Sequence, residues 1–236
     1  MRQVAVVAHR GASGDFPENT ASAFLEAIRL GVEMIEFDVQ LSRDRELVII
    51  HDSVVDRISD GSGRVDEMNL TELKELDAGF RSGGQFAGER FLTLEETLDL
   101  MPKKMRLNVH IKASDENREV LAPRVARELV RRNLLQTAFV TGSELNVVAA
   151  RRRASGLEIC TNQPVSRCVE IGCRILQPAN GITTPELVEE AHRHGMEVNP
   201  FYADEEAEMR RLIDCGVDGI LTNYPRKLQV LLDSAD

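Results

Sequence analysis

Short apolar runs alternate with amphipathic segments along most of the chain. Residues 4–8 form the first run, which is continuously apolar and long enough for a strand buried on both faces. In the segment that follows, Ala21, Phe24 and Ile28 recur at helical spacing, and Gly31 is the residue type that commonly ends a helix. The chain therefore opens with a predicted strand and a predicted helix, the beginning of a β–α unit.

Eight more runs of strand length follow, and most are separated by segments with helical periodicity. These candidates are residues 32–39, 47–50, 106–112, 137–141, 157–161, 174–177, 196–201 and 219–222. Sustained alternation of strands and helices predicts a parallel sheet in an α/β fold. We predict a (β/α)8 TIM barrel in which one of the nine candidates is irregular. An open doubly wound sheet is the alternative, although the chain contains no GxGxxG or Walker loop to favour it.

Two stretches depart from this alternation. Residues 40–46 link the second and third strand candidates and are too few for a crossover helix, an irregularity that the sequence does not explain. Residues 53–91 are rich in loop-forming glycines and contain only a short helix beginning near Asn69. We interpret residues 53–91 as a small insertion at the catalytic rim of a single domain spanning residues 1–236; a plain connector is the alternative.

Composition and charge limit the possible partners. The chain has 236 residues and a formal net charge of −10, which disfavours nucleic acid and requires a local cationic site for any anionic substrate. No apolar segment reaches 18 residues and no signal peptide precedes the first strand, so we expect no membrane insertion and a cytoplasmic location. The four cysteines include no CxxC pair and are expected to be reduced. Nothing in the sequence indicates an oligomeric state.

The first candidate chemistry is a pair of carboxylates. Glu36 and Asp38 are two positions apart on a predicted strand, so their side chains point to the same face. If that face is the barrel interior, two like charges are buried together, which is costly unless a proton or a cation lies between them. Carboxylate oxygens suit Mg²⁺, Ca²⁺ or Mn²⁺. The alternative is an outward-facing pair that accepts hydrogen bonds from loop amides.

Two histidines directly follow apolar runs. His9 and His51 would reach the same rim of a barrel, where parallel strands end. Imidazoles exchange protons near neutral pH, as a paired acid/base mechanism requires, although a lone histidine at such a position more often has a structural role. Arg10, beside His9, could bind phosphate oxygens through its forked guanidinium or form a surface salt bridge.

The strand candidate at residues 106–112 carries polar side chains on one face only. Asn108, His110 and Lys112 alternate with apolar residues, which is unusual for a barrel strand unless the polar face lines a site. His110 is a candidate metal ligand, and Lys112 is a candidate cation for a phosphate. Together with Arg10, Lys112 would supply the positive charge that an acidic protein needs to hold an anion.

Several motifs together resemble the glycerophosphodiester phosphodiesterase family. They are His9-Arg10-Gly11, Pro17-Glu18-Asn19-Thr20, Glu36-x-Asp38, His51-Asp52, the run from Leu70 to Gly79 and the run from Gly216 to Pro225. The resemblance spans essentially the whole chain. It implies a TIM barrel with a small inserted subdomain, a divalent metal cofactor, and cleavage of a small-molecule glycerophosphodiester to sn-glycerol 3-phosphate and an alcohol.

The resemblance also implies roles for individual residues. It assigns the acid/base pair to His9 and His51, two metal ligands to Glu36 and Asp38, phosphate contacts to Arg10 and Lys112, a supporting acid to Glu18 and a helix cap to Asn19. Each assignment follows from the position in the family's pattern that the residue matches.

Departures from the family pattern concern the metal and the substrate pocket. His110 stands where the family usually has a glutamate ligand. An imidazole there would remove one negative charge and shift the preference toward Mn²⁺, Zn²⁺ or another ion that tolerates imidazole; the alternative is that His110 binds no metal. The family's serine-phenylalanine, tryptophan and aspartate are replaced in Thr141-Gly142, Asn199-Pro200-Phe201 and Asn223.

We therefore predict a metal-dependent phosphoric diester hydrolase that uses paired histidines. The nucleophile would be water or the glycerol 2-hydroxyl, the latter acting through a cyclic phosphate. One alternative is a lysophospholipase D-type or cyclising phosphodiesterase that acts on an acyl-bearing substrate. A second alternative is a catalytically silent phosphodiester-binding barrel, which would retain phosphate affinity without turnover under any divalent ion.

Overall fold

The computed structural model describes residues 4–234, in which strands and helices alternate along the chain. The strands are β1 (Ala5–His9), β2 (Met34–Leu41), β3 (Leu47–Ile49), β4 (Arg106–Ile111), β5 (Ala138–Thr141), β6 (Glu158–Thr161), β7 (Ile175–Leu176), β8 (Glu197–Val198) and β9 (Gly219–Thr222). The helices are α1 (Ala21–Leu30), α2 (Leu70–Glu75), α3 (Leu94–Leu100), α4 (Arg118–Arg131), α5 (Glu144–Arg153), α6 (Val165–Glu170), α7 (Pro185–Arg193), α8 (Glu206–Asp214) and α9 (Pro225–Asp233). They lie where the sequence pattern predicts them, with ends shifted by a few residues.

Eight of the strands within residues 4–234 are parallel and form a nearly closed barrel. Hydrogen-bonded neighbours follow the order β8-β7-β6-β5-β4-β2-β1-β9. The ends of this series are joined by backbone hydrogen bonds from Asp218 N to Val198 O (3.0 Å) and from Leu221 N to Pro200 O (3.2 Å). The predicted (β/α)8 barrel is therefore confirmed, and the open doubly wound sheet is excluded.

Strand β3 lies outside this ring and explains the short link between the second and third strand candidates. It pairs antiparallel with β2, placing Val39 opposite Ile49. The turn between them is closed by a hydrogen bond from Ser42 N to Glu46 O (3.0 Å). An antiparallel neighbour needs only a hairpin, whereas a parallel neighbour needs a crossover of about a dozen residues or more. The irregular ninth candidate is thus the second arm of a hairpin.

The core consists of an outer layer between strands and helices and a smaller cluster inside the barrel. Strand side chains alternate between these two layers. The inner cluster contains Val7, Met34, Phe139, Cys160, Ile175 and Leu221. On β2, Ile35, Phe37 and Val39 pack in the outer layer. Glu36 and Asp38, which lie between them, therefore face the barrel interior, and the outward-facing alternative is wrong.

Residues 53–91 fold into a small unit against β3. The unit comprises α2 and three turns of 3₁₀ helix, Val65–Glu67, Phe80–Ser82 and Gly84–Phe86. A buried cluster joins it to the hairpin and contains Val48, Ile50, Val55, Ile58, Val65, Leu73, Ala78 and Phe91. Since two of these residues lie on β3 or directly after it, the unit and the hairpin share one apolar core. The role of this unit as an insertion at the catalytic rim stays a prediction.

All four cysteines are free thiols, and Cys160, Cys168 and Cys173 are buried. Burial raises the pKa of Cys160 to about 12, so this thiol inside the barrel stays protonated. Among residues 4–234, no helix is both long enough and apolar enough to cross a bilayer.

Candidate active site

A cavity of about 620 Å³ opens at the carboxyl ends of the barrel strands. Its wall includes six residues singled out from the sequence: His9, Arg10, Glu36, His51, His110 and Lys112. Asp38 lies behind this wall, in contact with His110 and Arg10. Glu18 contacts Arg10, and Asn19 contacts Asp38. All nine predicted site residues therefore belong to one connected group.

A cluster of three side chains in this group has the geometry of a metal site. Glu36, Asp38 and His110 each offer one ligand atom, and these atoms lie within 4.8 Å of one another. His110 Nδ1 is 3.1 Å from Asp38 Oδ1 and 3.6 Å from Glu36 Oε1. Asp38 Oδ1 is buried, and apart from the His110 ring it has no hydrogen-bond partner among the described residues. Two carboxylates, an imidazole and a buried oxygen in need of a partner fit a divalent cation.

Charges within the cluster shift two of its pKa values in opposite directions. Burial would raise the pKa of Asp38, but the His110 ring and the Arg10 guanidinium hold it well below its usual range. Burial would lower the pKa of His110, but Asp38 and Glu36 raise it to about 9. Without a metal the imidazole is therefore protonated at neutral pH and offsets the repulsion between the carboxylates, as a cation would.

Arg10 connects the cavity to the carboxylates behind it. Its backbone N–H donates to Glu36 O (2.9 Å) and to Glu36 Oε2 (3.1 Å). Its guanidinium donates to Glu18 Oε1 (3.0 Å) and lies 3.3 Å from Asp38 Oδ2. The residue has a positive φ of 58°, a backbone conformation that is uncommon outside glycine. This turn after β1 places the guanidinium beside the carboxylates rather than in solvent, so the surface-salt-bridge alternative is wrong.

Asn19 has a different contact from the one its motif implies. The residue that caps α1 is Thr20, whose side chain accepts from Ala23 N. Asn19 adopts a φ of 59° and turns inward, where its Nδ2 donates to Asp38 Oδ2 (3.0 Å). The predicted capping role of Asn19 is therefore wrong. Either side chain can cap a helix, and the left-handed backbone at residue 19 moves the cap by one position.

His9 ends β1 and is almost fully buried. Its Nδ1 lies 2.7 Å from Asn223 Oδ1, and its Nε2 lies 3.9 Å from Glu36 Oε2. The ring stacks on Tyr202, with centroids 5.0 Å apart and an angle of 17° between the planes. One ring nitrogen is thus engaged with an amide, and the other lies beside the carboxylate cluster at the cavity.

His51 lies just beyond β3 and lines the same cavity. Its Nδ1 is 2.6 Å from Asp52 Oδ1, and its Nε2 is 3.2 Å from Lys112 Nζ. A carboxylate on one nitrogen fixes the ring and its tautomer, with the proton on Nδ1. The lysine on the other nitrogen places a positive charge beside the ring at the cavity.

Sequence reasoning did not assign a role to Asp52 or Arg57. Arg57 donates to Asp52 Oδ2 through Nε (2.5 Å) and to both carboxylate oxygens of Glu18 (2.8 Å each). Burial would raise the pKa of Glu18, but hydrogen bonds from Arg57 and the charge of Arg10 lower it. Asp52 belongs to the His51-Asp52 motif, which could have indicated it. Arg57 lies in the 53–91 unit, and no pattern in the sequence connects it to Glu18.

The remaining wall of the cavity carries uncharged groups. It is formed by Thr141, Gly142, Ser143, Thr161, Asn162, Gln163, Gln177, Phe201, Tyr202 and Leu221. Charged side chains therefore gather on the part of the wall built by β1, β2, β4 and the hairpin arm. Hydroxyls, amides and apolar groups line the part built by β5 to β9. An anionic group would bind on the first part, and a neutral group would face the second.

Comparison with known proteins shows which family shares this arrangement. Residues 9–154 and 162–227 match the family described as the glycerophosphoryl diester phosphodiesterase family. The chain belongs to the glycerophosphoryl diester phosphodiesterase family. Members of this family are phosphoric diester hydrolases, and the family predicted from the sequence motifs is thereby confirmed.

Relatives of this family match the chain over nearly its whole length. A glycerophosphodiester phosphodiesterase of Caldanaerobacter subterraneus is 36% identical over 235 residues, covering 94% of this chain and 95% of the relative. One from Bacillus subtilis is 29% identical over 255 residues, covering 94% and 84%. A solved phosphodiesterase of Oleispira antarctica, in complex with the product sn-glycerol-3-phosphate, has a TM-score of 0.89 and 28% identity and covers 97% of this chain and 96% of its own.

Proposed function

We propose that this protein hydrolyses a glycerophosphodiester to sn-glycerol 3-phosphate and an alcohol. The observation that carries the proposal is the convergence of two imidazoles, two cations and a carboxylate–imidazole cluster on one cavity. Family membership and the product bound to the Oleispira relative support the substrate class. The cations and imidazoles on this wall support a site that binds a phosphodiester and moves two protons.

We infer that Glu36, Asp38 and His110 hold a divalent ion. The ion would act as a Lewis acid on the phosphodiester and neutralise charge on its oxygens. Mg²⁺, Ca²⁺ and Mn²⁺ suit the two carboxylates, and the imidazole also admits Zn²⁺. His110 binds a cation only after it loses its proton, so its raised pKa makes proton and cation compete for this site.

His9 and His51 are the proposed acid/base pair. The Asp52 carboxylate accepts from His51 Nδ1, which leaves the Nε2 lone pair of that ring at the cavity. One histidine removes a proton from the nucleophile, either water or the glycerol 2-hydroxyl, and the other donates a proton to the departing alcohol. When the 2-hydroxyl attacks, the product of this step is a cyclic phosphate, and water then opens the ring to give glycerol 3-phosphate. Arg10 and Lys112 bind the phosphodiester oxygens and concentrate positive charge where the anion lies.

A direct assay tests the proposal. Glycerophosphocholine is incubated with the metal-stripped protein, to which Mg²⁺, Ca²⁺, Mn²⁺ or Zn²⁺ is added, and glycerol 3-phosphate is measured. We expect release with at least one ion and none in excess chelator. Phosphate-analogue binding without turnover under every ion, across several glycerophosphodiesters, would instead identify a silent binding barrel.

A second assay tests His110 itself. Isothermal titration calorimetry compares ion binding to the wild type, His110→Glu and His110→Ala. We expect weaker binding to His110→Ala by about 10-fold to 100-fold and a change of ion preference toward Mg²⁺ in His110→Glu. Equal affinities in all three proteins would show that His110 is not a ligand.

A further inference from the structure

We propose that Asp204 is a positioning residue that fixes the tautomer of His9 through the side-chain amide of Asn223. This inference rests on the proposed role of His9 as an acid or base and identifies a residue on which that role depends. Asp204 lies in the loop between β8 and α8 and does not line the main cavity. It reaches His9 only through Asn223.

The three side chains form a continuous chain of hydrogen bonds. His9 Nδ1 pairs with Asn223 Oδ1 at 2.7 Å, and Asn223 Nδ2 donates to Asp204 Oδ2 at 2.6 Å. The second carboxylate oxygen, Asp204 Oδ1, accepts from Asn223 N (2.9 Å) and from Thr222 Oγ1 (3.1 Å). Three donors therefore hold the carboxylate in place. One of them is the Asn223 backbone N–H, which can only donate and whose direction is fixed by the backbone.

The carboxylate determines which way the Asn223 amide faces. An ionised carboxylate only accepts hydrogen bonds, so it pairs with the NH₂ group of Asn223 and not with the carbonyl oxygen. That oxygen consequently faces His9; the Ser13 hydroxyl lies 2.8 Å from it and shares its one proton between this oxygen and the His9 backbone carbonyl (2.7 Å). An oxygen on this side requires the proton of a neutral His9 to be on Nδ1. The Nε2 lone pair is then directed to the cavity.

Replacing the carboxylate by an amide should reverse this arrangement. In Asp204→Asn, the side-chain oxygen stays with the fixed Asn223 N–H, so the new NH₂ group faces the Asn223 side chain. The Asn223 amide then turns its oxygen toward residue 204 and its NH₂ toward His9. A donor beside His9 Nδ1 stabilises the other tautomer, in which Nε2 carries the proton.

A matched double change should restore the first arrangement. In Asp204→Asn combined with Asn223→Asp, the carboxylate is moved from residue 204 to residue 223. The new carboxylate accepts both from the amide at residue 204 and from His9 Nδ1. The proton returns to Nδ1, although each side chain of the pair has been changed.

Nitrogen NMR of protein labelled with ¹⁵N-histidine reads the tautomer directly, at a pH where the ring is neutral. The chain has five histidines, and the His9 signal is identified by its absence in His9→Gln. We expect the Nδ1–H form in the wild type, the Nε2–H form in Asp204→Asn and the Nδ1–H form in the double variant. With glycerophosphocholine, kcat should fall about 10-fold in Asp204→Asn with KM changed less than about twofold, and should recover in the double variant.

Asp77→Asn is the control, because Asp77 also holds two backbone N–H groups, those of Gly79 and Gly88, but lies in the 53–91 unit away from His9. We expect its His9 spectrum and kcat to match the wild type. A folded Asp204→Asn variant that keeps the Nδ1–H form overturns the proposal. If that variant does not fold, as judged by circular dichroism, a folded double variant in the Nε2–H form overturns it instead. The spectrum can be read even if the wild type hydrolyses nothing, so the failure of the proposed function would be recognised separately.

Discussion

His9 and His51 lie on two parts of the molecule and are held by different chemistry. His9 ends a strand of the barrel ring, its side chain is 10% exposed, and a neutral amide accepts from Nδ1. His51 follows the hairpin arm outside the ring, its side chain is 30% exposed, and a carboxylate accepts from Nδ1. Both hydrogen-bond partners leave Nε2 directed to the cavity, but only the Asp52 carboxylate places a negative charge directly beside the ring.

The difference follows from what surrounds each ring. His9 lies 3.9 Å from Glu36, one of two buried carboxylates, and a third carboxylate there would add repulsion in a region of low dielectric. An amide fixes the ring without that cost. Asp52 lies near solvent and its charge is balanced by Arg57. The buried ring of His9 is therefore held by a neutral amide, whereas the more exposed ring of His51 is held by a carboxylate.

The largest expected effect comes from removing either ring. His9→Gln and His51→Gln should each lower kcat/KM by about 10²–10⁴-fold, the usual contribution of a positioned acid or base. Hydrolysis of glycerophosphocholine, followed by glycerol 3-phosphate release, measures the loss. His194→Gln is the matched control, since His194 is exposed at the end of α7. Full activity in either site variant contradicts the paired mechanism.

A smaller effect is expected when the support of His51 is converted into the type found at His9. Asp52→Asn replaces the carboxylate by an amide and leaves Glu18 as the remaining charged partner of Arg57. We expect kcat to fall about 10-fold to 100-fold, a fraction of the full acid–base contribution. Steady-state kinetics at saturating metal measure this loss. An unchanged kcat would mean that amide and carboxylate supports are interchangeable at this position.

A still smaller effect is expected at Arg57. Arg57→Lys keeps the charge but cannot bridge Asp52 and both oxygens of Glu18, so kcat should fall about threefold to tenfold. Arg64→Lys is a matched control in the same unit, because Arg64 is similarly exposed and pairs with Asp66. The kcat values of the two variants are compared. Equal losses of kcat would show that the loss comes from disturbing the 53–91 unit and not from the contacts of Arg57.

The smallest expected effect is on the stability of the metal-free protein and concerns His110, the third imidazole at the cavity. Its pKa is raised from 6.5 to about 9, so its contribution to stability is complete below pH 6.5 and is lost as the pH rises through 9. Thermal unfolding in chelator should show Tm falling over this range, by about 2–4 °C for each kcal/mol lost. His110→Gln should lack this part of the pH dependence. A parallel Tm profile in the variant would show that the carboxylates do not stabilise the protonated ring.

Much of this architecture follows from local sequence patterns. Buried parallel strands and amphipathic helices have distinct periodicities, which is why the barrel could be predicted. Polar residues directly after apolar runs indicated His9 and His51, because the carboxyl ends of barrel strands share one rim. The two-residue spacing of Glu36 and Asp38 within a strand indicated that their side chains share one face. These predictions needed only the order of residues along the chain.

Other features depend on contacts that local patterns do not encode. The direction of β3 is set by its pairing with β2, and its apolar run is the same for either direction. The Thr20 cap depends on a positive φ at Asn19, and the neighbouring side chains have similar capping tendencies. Arg57 and Asp204 act on Glu18 and Asn223, across 39 and 19 positions of sequence. No periodicity connects residues so far apart.

The position of β3 outside the ring has a consequence for heat inactivation. The hairpin arm and the 53–91 unit that shares its buried core can fray together without breaking any hydrogen bond between the eight barrel strands, and partial openings of this kind require less free energy than global unfolding. Fraying would carry away His51 while the ring keeps His9 and the carboxylate cluster in place. The enzyme should therefore lose turnover at a lower temperature than its secondary structure, and regain it on cooling.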